Sequence, residues 1–241
     1  LTFWITGFVF VVICLFVSYC VWKFAYNKDK RAEYKPEDKK LESRLTWITT
    51  LGVAALLAPG LVVWNSYVTV PENAYKVEVF AYQWGWKYRL PGNDGILGKT
   101  DIKYINDDNP FGLNTDDPYS LDDILIDSDD LHILKDQPIK LNLRALDVLH
   151  DFYVPQFRAK MDMVPGMITY YWFTPTRAGT YEILCAEYCG TGHYSMLGYV
   201  VVDEVDDYNE WLSEQMTFEE IMASNGKSDL IKLALNRKND L

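Results

Sequence analysis

The residues best suited to chemistry lie in one short stretch, Cys185 to Met196, which reads Cys-Ala-Glu-Tyr-Cys-Gly-Thr-Gly-His-Tyr-Ser-Met. It holds two thiols, at Cys185 and Cys189, an imidazole at His193 and a thioether at Met196. Thiolate, imidazole and thioether form a soft ligand set, which selects copper and is a poor choice for magnesium or calcium. The stretch therefore predicts a copper-type metal site.

A disulfide between Cys185 and Cys189 is the alternative interpretation, because their spacing could close one in an oxidising compartment. A disulfide would account for the two cysteines alone. It would not explain why a histidine and a methionine follow so closely, or why Gly190 and Gly192, after the second cysteine, free the backbone to fold around a ligand. Metal binding explains all of these features.

A further candidate ligand, His150, lies 35 residues before Cys185 at the end of a predicted strand, in Leu-Asp-Val-Leu-His-Asp-Phe. A histidine from a strand end, combined with a loop of cysteine, histidine and methionine, is the arrangement of blue-copper sites. Here the loop carries two cysteines, so two thiolates can bridge two copper ions. We therefore predict a dinuclear centre.

The segment after Pro71 predicts a β-rich scaffold for these ligands. Runs rich in β-branched and aromatic residues, with turn residues between them, indicate a β-sandwich or barrel. We place this domain at 72–203 and a helical tail at 204–241, with an amphipathic helix over 204–215 and a further helix after it. The predicted strands cover residues 75–90, 139–148, 167–173, 180–184 and 197–202.

Residues 93–130 interrupt the strand pattern with many Asn, Asp, Gly and Pro residues. From Tyr104 to Leu134 there is no lysine or arginine, while aspartates accumulate. We predict an inserted, solvated acidic loop. Calcium binding is an alternative, although the loop lacks the twelve-residue ligand spacing with a final glutamate. The accumulated aspartates are Asp107, Asp108, Asp116, Asp117, Asp122, Asp123, Asp127, Asp129 and Asp130.

Two uncharged runs, 1–22 and 45–71, predict a transmembrane two-helix hairpin within residues 1–71. We place the spans at about 1–24 and 45–68, since ~20 apolar residues cross a lipid bilayer. Residues 23–44 hold eight basic and five acidic residues, so this loop is expected on the cytoplasmic or matrix side. Everything after residue 71 then faces the opposite compartment. Cys14 and Cys20 fall inside the first span, where a structural role is expected.

The net charge of −11 is unevenly distributed along the chain. Residues 72–241 carry 15 basic and 29 acidic residues, which argues against nucleic acid as a partner. An acidic exterior favours attraction of a basic protein, and acidity for solubility alone is the alternative.

Along essentially the whole chain, the sequence resembles subunit II of cytochrome c oxidase. The copper motif Cys-x-Glu-x-Cys-x-x-x-His-x-x-Met is matched in full, and Val-Leu-His lies upstream at the expected distance. The resemblance implies a cupredoxin-like domain, an all-β Greek-key sandwich or barrel. It also implies a mixed-valence dicopper centre, CuA, in which both cysteines are bridging ligands. The implied ligands are His150, Cys185, Cys189, His193, Met196 and the backbone carbonyl of Glu187.

The resemblance also implies partners and a function. The Glu187 carboxylate would reach a Mg²⁺ or Mn²⁺ ion at the border with the catalytic subunit. The chain would take electrons from a c-type cytochrome and pass them to haem in that subunit, subunit I, within a larger oxidase. This transfer supports O₂ reduction to water and proton pumping. The unusual insertion at 93–130 favours a bacterial inner membrane over a mitochondrial one, and the copper domain is expected on the periplasmic side.

A second signature is the segment Gln-Trp-Gly-Trp-Lys-Tyr at 83–88. If the segment is extended, alternation places five aromatic residues on one face, and such faces usually belong to a core. The resemblance implies instead that Trp84 is exposed near the copper and receives the electron. Gly85 occupies a position that is often aromatic in relatives, which would thin the aromatic patch. The five aromatic residues are Phe80, Tyr82, Trp84, Trp86 and Tyr88.

Two acids match positions in the same family. Asp162, in Met-Asp-Met-Val-Pro-Gly, matches a carboxylate near the seat of the copper domain on the catalytic subunit, and a structural salt bridge is an equal alternative. Glu42 resembles an acid near the mouth of a proton path. Arg44, however, stands where relatives more often have a second acid.

Other membrane proteins fit the sequence less well. A subunit II of a quinol oxidase shares the fold without copper and should have lost the ligands, whereas all six positions are present here. A membrane-tethered copper chaperone would carry one span and a thioredoxin-like βαβ pattern, and the two spans, the strand-rich pattern and Met196 argue against it. Cys-x-x-Cys-His does not occur in the sequence, which excludes a fused c-type haem within this chain.

Overall fold

The computed structural model describes residues 2–31, 34–106 and 109–225. The chain divides into two compact units, Leu1–Gly60 and Leu61–Leu241. The aspartates at 107 and 108, and the end of the predicted tail at 226–241, lie outside the described residues.

Two helices at the start of the chain are long and apolar enough to cross a membrane. They are α1 (Thr2–Lys23) and α2 (Lys39–Val68), and neither has a residue that the chain itself buries. Such a large apolar surface is stable in lipid, which agrees with the two predicted spans. The second helix begins earlier than its apolar run, because Oδ1 of Asp38 accepts a hydrogen bond from the backbone N–H of Leu41 and caps the first turn.

The outer domain is a sandwich of two five-stranded sheets, followed by short helical segments, so the predicted fold class is confirmed. The strands are β1 (Tyr75–Tyr82), β2 (Gly85–Leu90), β3 (Ile124–Ile126), β4 (Asp130–Leu134), β5 (Ile139–Ala145), β6 (His150–Val154), β7 (Ala159–Met163), β8 (Thr169–Phe173), β9 (Gly179–Cys185) and β10 (Leu197–Asp203). One sheet has the order β3-β2-β1-β5-β8, and the other has the order β4-β10-β9-β6-β7.

The prediction that residues 75–90 form one strand, with the aromatic residues from Phe80 to Tyr88 on one face, is wrong. A tight turn at Gln83 and Trp84 divides the segment into β1 and β2, which pair as an antiparallel hairpin. The turn changes the phase of the alternation: Trp86 and Tyr88 lie in the main core between the sheets, whereas Phe80 belongs to a second core. Trp84 lies at the turn and is 41% exposed.

The prediction that residues 93–130 form a solvated loop is also wrong. The segment contains β3, and its Phe111 and Leu113 pack with Phe80 and Phe218 in the second core. It also buries Asp123, whose carboxylate contacts the guanidinium of Arg89 at 2.5 Å. The insertion is therefore a folded layer on the outer side of the β1–β2 hairpin.

Some aspartates of the insertion accept hydrogen bonds from nearby backbone N–H groups. Asp117 accepts hydrogen bonds from the backbone N–H groups of Lys99 and Tyr119, and Asp101 accepts one from Lys103. Side-chain oxygens of Asp commonly satisfy turn and cap N–H groups in this way. These carboxylates stabilise loop geometry without forming a metal cage.

The C-terminal part holds two helical segments, as predicted for its described residues. Helix α3 (Val205–Ser213) places Trp211 against His132 of β4, with the rings stacked 4.4 Å apart. A second helical segment covers residues 218–225. Backbone N–H groups of Phe218 and Glu219 donate to the carbonyls of Asp123 and Leu121. This part of the tail is therefore hydrogen-bonded to the insertion.

Candidate metal centre

Two neighbouring strands and one loop bring the predicted ligands together. His150 is the first residue of β6, and Cys185 is the last residue of the adjacent strand β9. Cys189, His193 and Met196 follow in the loop that connects β9 with β10. Because β9 and β10 pair as an antiparallel hairpin, the loop folds back over the strand end where His150 lies.

The donor atoms lie close enough to share metal ions. Sγ of Cys185 is 3.7 Å from Sγ of Cys189 and 3.8 Å from Nδ1 of His150. Sγ of Cys189 is 3.5 Å from Nδ1 of His193 and 3.9 Å from Sδ of Met196. The remaining predicted ligand, the carbonyl oxygen of Glu187, is 3.2 Å from Sγ of Cys185. The other four predicted ligands therefore converge on the two sulfurs, and all six lie together.

The chemistry of this donor set fits copper. Zinc binds thiolate at roughly 2.3 Å and imidazole at roughly 2.0 Å, and at such distances a first-row metal ion fits between donor atoms that lie up to about 4 Å apart. Soft sulfur donors with imidazole select copper ahead of hard cations. His150, Cys189 and Met196 are buried, which shields the donors from competing water.

Acidic clusters do not rival this site in the described part of the chain. There, His150, Cys185 and Cys189 form the one group of three or more His, Cys, Asp or Glu residues whose ligand atoms lie within 4.8 Å of one another. The calcium alternative for the insertion therefore has no support from its described residues.

The two thiols differ in their protonation. Burial raises the pKa of Cys185. The hydrogen bonds with the His150 side chain and with the backbone at Asp151 and Glu187 outweigh burial and lower the pKa to about 6. Burial and the adjacent Cys185 sulfur raise the pKa of Cys189 to about 12. One thiolate is thus available near neutral pH, and a metal cation must displace the proton of the second thiol.

The structure adds two residues that the sequence did not single out, Asp147 and Gln83. Oδ1 of Asp147 accepts a hydrogen bond from Nε2 of His150 at 2.9 Å, which leaves Nδ1 facing the sulfurs. Nε2 of Gln83 donates to the carbonyl of Cys189 at 2.7 Å. A carboxylate three residues before a candidate histidine ligand was the available signal for Asp147, since such partners orient metal-bound imidazoles.

Trp84 lies directly on the ligand loop. Its indole N–H donates to the carbonyl of Cys189 at 3.3 Å. A Cβ atom added at Gly192 would collide with the Trp84 ring, and one added at Gly190 would crowd it. Gly190 also has a positive φ of 120°. The two glycines therefore shape the loop and make room for the indole.

The Tyr82 side chain occupies the space beside Gly85, where a larger residue would have its side chain. Gly85 pairs with Tyr82 across the β1–β2 hairpin, and an added Cβ would meet the Tyr82 hydroxyl. Lys87 lies over the Tyr82 ring, 5.5 Å from its centre, and pairs with Asp127 at 3.0 Å. Tyr82 thus supplies aromatic surface where Gly85 has none.

The remaining predicted acids lie on β7, in the ligand loop and at the start of α2. Asp162 is exposed on β7, opposite the buried Asp151 of β6, and Asp151 is paired with Lys160 at 3.4 Å. Glu187 is half-buried in the ligand loop. Glu42 is exposed in the first turn of α2, where the helix dipole favours an acid.

Comparison with known proteins adds family membership to this geometry. Residues 75–205 match the family described as cytochrome c oxidase subunit II, periplasmic domain. Over 240 residues the chain is 51% identical to an alternative cytochrome c oxidase subunit 2 of Bradyrhizobium diazoefficiens, covering 100% of this chain and 86% of the relative. It is 27% identical over 226 residues to cytochrome c oxidase subunit 2 of Cereibacter sphaeroides, covering 88% and 75%.

A solved structure is also similar, the periplasmic domain of subunit II of cytochrome oxidase from Bradyrhizobium japonicum. It shares 22% identity, covers 60% of this chain and 95% of its own, and gives a TM-score of 0.44. The family match and the 51% identical relative assign the chain to its family. Both confirm the predicted family, and together with the two apolar helices they fit a membrane protein with a periplasmic domain. The chain belongs to the cytochrome c oxidase subunit II family and is a subunit of that oxidoreductase.

Proposed function

We propose that this chain is the electron-accepting subunit of a haem–copper terminal oxidase. It takes single electrons from a c-type cytochrome and delivers them to haem in the catalytic subunit I, which supports O₂ reduction to water and proton pumping. When bound, a dinuclear CuA centre supplies reversible one-electron oxidation and reduction. The observation that carries the proposal is the convergence of four donors, from His150, Glu187, His193 and Met196, on the two sulfurs of Cys185 and Cys189.

The donors divide into two sets around the sulfur pair, which favours two ions over one. His150 and the Glu187 carbonyl lie near Cys185, whereas His193 and Met196 lie near Cys189. Each set supplies an imidazole and one weaker donor, and the sulfurs are shared. Two strand ends fix this arrangement, so the donors need little rearrangement when the charge of the site changes.

Trp84 connects the surface with this donor set. Its ring is partly exposed, and its N–H bonds to the carbonyl of Cys189, a candidate bridging residue. A partner that contacts Trp84 is therefore one hydrogen bond away from the ligand loop. The acidic outer domain favours a basic donor such as a c-type cytochrome.

Further parts of the proposal concern the border with the catalytic subunit. With its carbonyl near Cys185, Glu187 retains its carboxylate for a Mg²⁺ or Mn²⁺ ion shared with that subunit. Asp162 is proposed to lie near this border, and Glu42 to serve a proton path. We place the protein in the inner membrane of a bacterium, with α1 and α2 in the lipid bilayer.

Copper content and EPR spectroscopy of the full chain, purified in detergent and loaded with copper, test the metal centre. Two copper ions per chain with a delocalised mixed-valence signal are expected. Cys189→Ser should abolish this signal, whereas Cys14→Ser, within the first span, should preserve it. A single copper ion, or none in a folded chain, would overturn the proposal.

Replacement of Trp84 by Phe tests the site of electron acceptance. Reduction of the copper-loaded chain by a reduced c-type cytochrome should become slower, while the copper spectrum stays unchanged. Trp211→Phe is the matched control, because Trp211 stacks on His132 of β4 and is not part of the ligand loop. An unchanged rate for Trp84→Phe would remove this residue from the mechanism.

A further inference from the structure

We propose that Met163 is a positioning residue for the candidate copper ligand His150, and that it keeps water away from the imidazole. The inference rests on the proposed copper function. It assigns a role to a buried methionine on β7, outside the ligand loop.

Strand register places the two residues side by side. In the antiparallel pair of β6 and β7, His150 lies directly opposite Met163, and Phe152 lies opposite Met161. Side chains directly opposite each other point to the same face, with Cβ atoms about 4.5–5.5 Å apart. Phe152 packs edge-on against Trp86 at 5.3 Å in the core, so this face of β6 and β7 is the inner one.

Burial isolates this pair from bulk solvent. His150 and Met163 are both 0% exposed. Within its sheet, β6 lies between β9, which carries Cys185, and β7, which carries Met163. The imidazole therefore has the sulfur donors on one side, Asp147 at Nε2, and the strand of Met163 on the other side.

Met163 lies at the end of its strand, where its side chain can fill the space beside His150. β7 ends at this residue, and a turn at 164–167 follows, closed by a hydrogen bond from Met167 N to the carbonyl of Val164. Met163 is thus the last side chain of β7 beside the ligand. An unbranched, polarizable thioether adapts to irregular space and can fill it completely.

An apolar side chain in this place should affect the redox property of the site. The hydrophobic shell around a metal controls solvent access and local dielectric, and through them the reduction potential. A dipole or water molecule beside His150 would stabilise the more highly charged, oxidised state. A dipole or water molecule admitted to this place should therefore lower the reduction potential of the copper centre.

The experiment compares four variants of the full chain, loaded with copper in detergent, by EPR and redox titration. Met163→Gln keeps the length of the side chain and adds an amide, and it should lower the midpoint potential. Met163→Leu keeps an apolar group of similar volume and should retain the wild-type potential and EPR spectrum. Met163→Ala shortens the side chain, makes room for water, and should also lower the midpoint potential. It replaces Met163→Gln in the test if that variant does not fold.

Met161→Gln is the matched control, because it introduces the same amide on the same face of β7 opposite Phe152, which is not a ligand. It should leave the potential unchanged. Wild-type potentials in both Met163→Gln and Met163→Ala, or an equal shift in Met161→Gln, would overturn the inference while the copper function stands. A wild-type chain without paired copper would overturn the proposed function, and this inference with it.

Discussion

Asp147 accepts a hydrogen bond from Nε2 of His150 over 2.9 Å, and this bond determines which ring nitrogen faces the candidate metal site. The other carboxylate oxygen accepts the backbone N–H of Gln83 at 2.7 Å. Gln83 precedes Trp84 and itself bonds to the carbonyl of Cys189. One carboxylate thus ties the turn that carries Trp84 to the strand that carries a ligand.

Asp147→Asn should weaken copper binding. The amide lacks the charge that favours a donating Nε2, so His150 loses part of its preference for presenting Nδ1 to the metal. Loss of such a partner typically costs about 10–100-fold in metal affinity. Competition with a chelator measures this affinity. Asp136→Asn, in a turn that tolerates asparagine, is the control, and equal affinities in all three proteins would contradict the prediction.

Gly192→Ala should slow electron acceptance without removing copper. The new methyl group would occupy space now taken by the Trp84 ring, so the indole must move away from the carbonyl of Cys189. Stopped-flow reduction by a c-type cytochrome measures the rate, and EPR monitors the copper. Thr191→Ala changes an exposed neighbour in the same loop and should behave like wild type. A wild-type rate in Gly192→Ala would show that the contact between indole and loop is dispensable.

The ligand set was predictable because the types of its residues and their spacing form a recognisable motif. Cys185, Cys189, His193 and Met196 lie in one loop, and few other functions combine those side chains so closely. Asp147 and Met163 were not predictable in the same way. Their relation to His150 depends on strand register and hydrogen bonding, which a single sequence does not specify.

The errors about the fold have physical causes as well. An alternating pattern continues through residues 75–90 because both strands of the β1–β2 hairpin are aromatic, and the phase change at Gln83 and Trp84 lies within it. The acidic composition of the insertion predicted solvation. In the structure, its carboxylates satisfy backbone N–H groups locally, while a few apolar residues such as Phe111 bury it against the domain.

Phe218→Ala should loosen the insertion and the tail while the metal centre stays intact. Phe218 is fully buried in the second core beside Phe111, and removal of such a side chain costs about 3–5 kcal/mol. The loss is local, because the candidate ligands belong to the main core. Hydrogen exchange of residues 109–125 should accelerate with an unchanged copper EPR spectrum. Met222→Ala, on the same helical segment and 41% exposed, is the control, and a simultaneous loss of copper would contradict the prediction.

Asp123 should make the outer domain less stable as the pH rises from about 4 to about 6. Burial raises the pKa of this carboxyl to about 6, although the Arg89 guanidinium opposes the shift. Since the unfolded value is about 3.9, the folded state holds the proton over this interval when the unfolded state has lost it. The free energy of unfolding therefore falls as pH rises through the interval, by at most ~3 kcal/mol at 1.36 kcal/mol per pKa unit.

Asp123→Asn should remove this contribution, because an amide keeps an oxygen for the N–H groups of Arg89 and Gly98 but does not ionise. Thermal unfolding of the full chain in detergent, followed by tryptophan fluorescence at pH 4 and pH 6, measures the difference. Other carboxyls titrate in the same interval, so the comparison is between variant and wild type at each pH. Asp127→Asn, whose side chain is 78% exposed, should retain the wild-type slope. If Asp123→Asn also retains the wild-type change of stability between pH 4 and pH 6, then Asp123 stays ionised throughout this interval and the Arg89 ion pair outweighs burial.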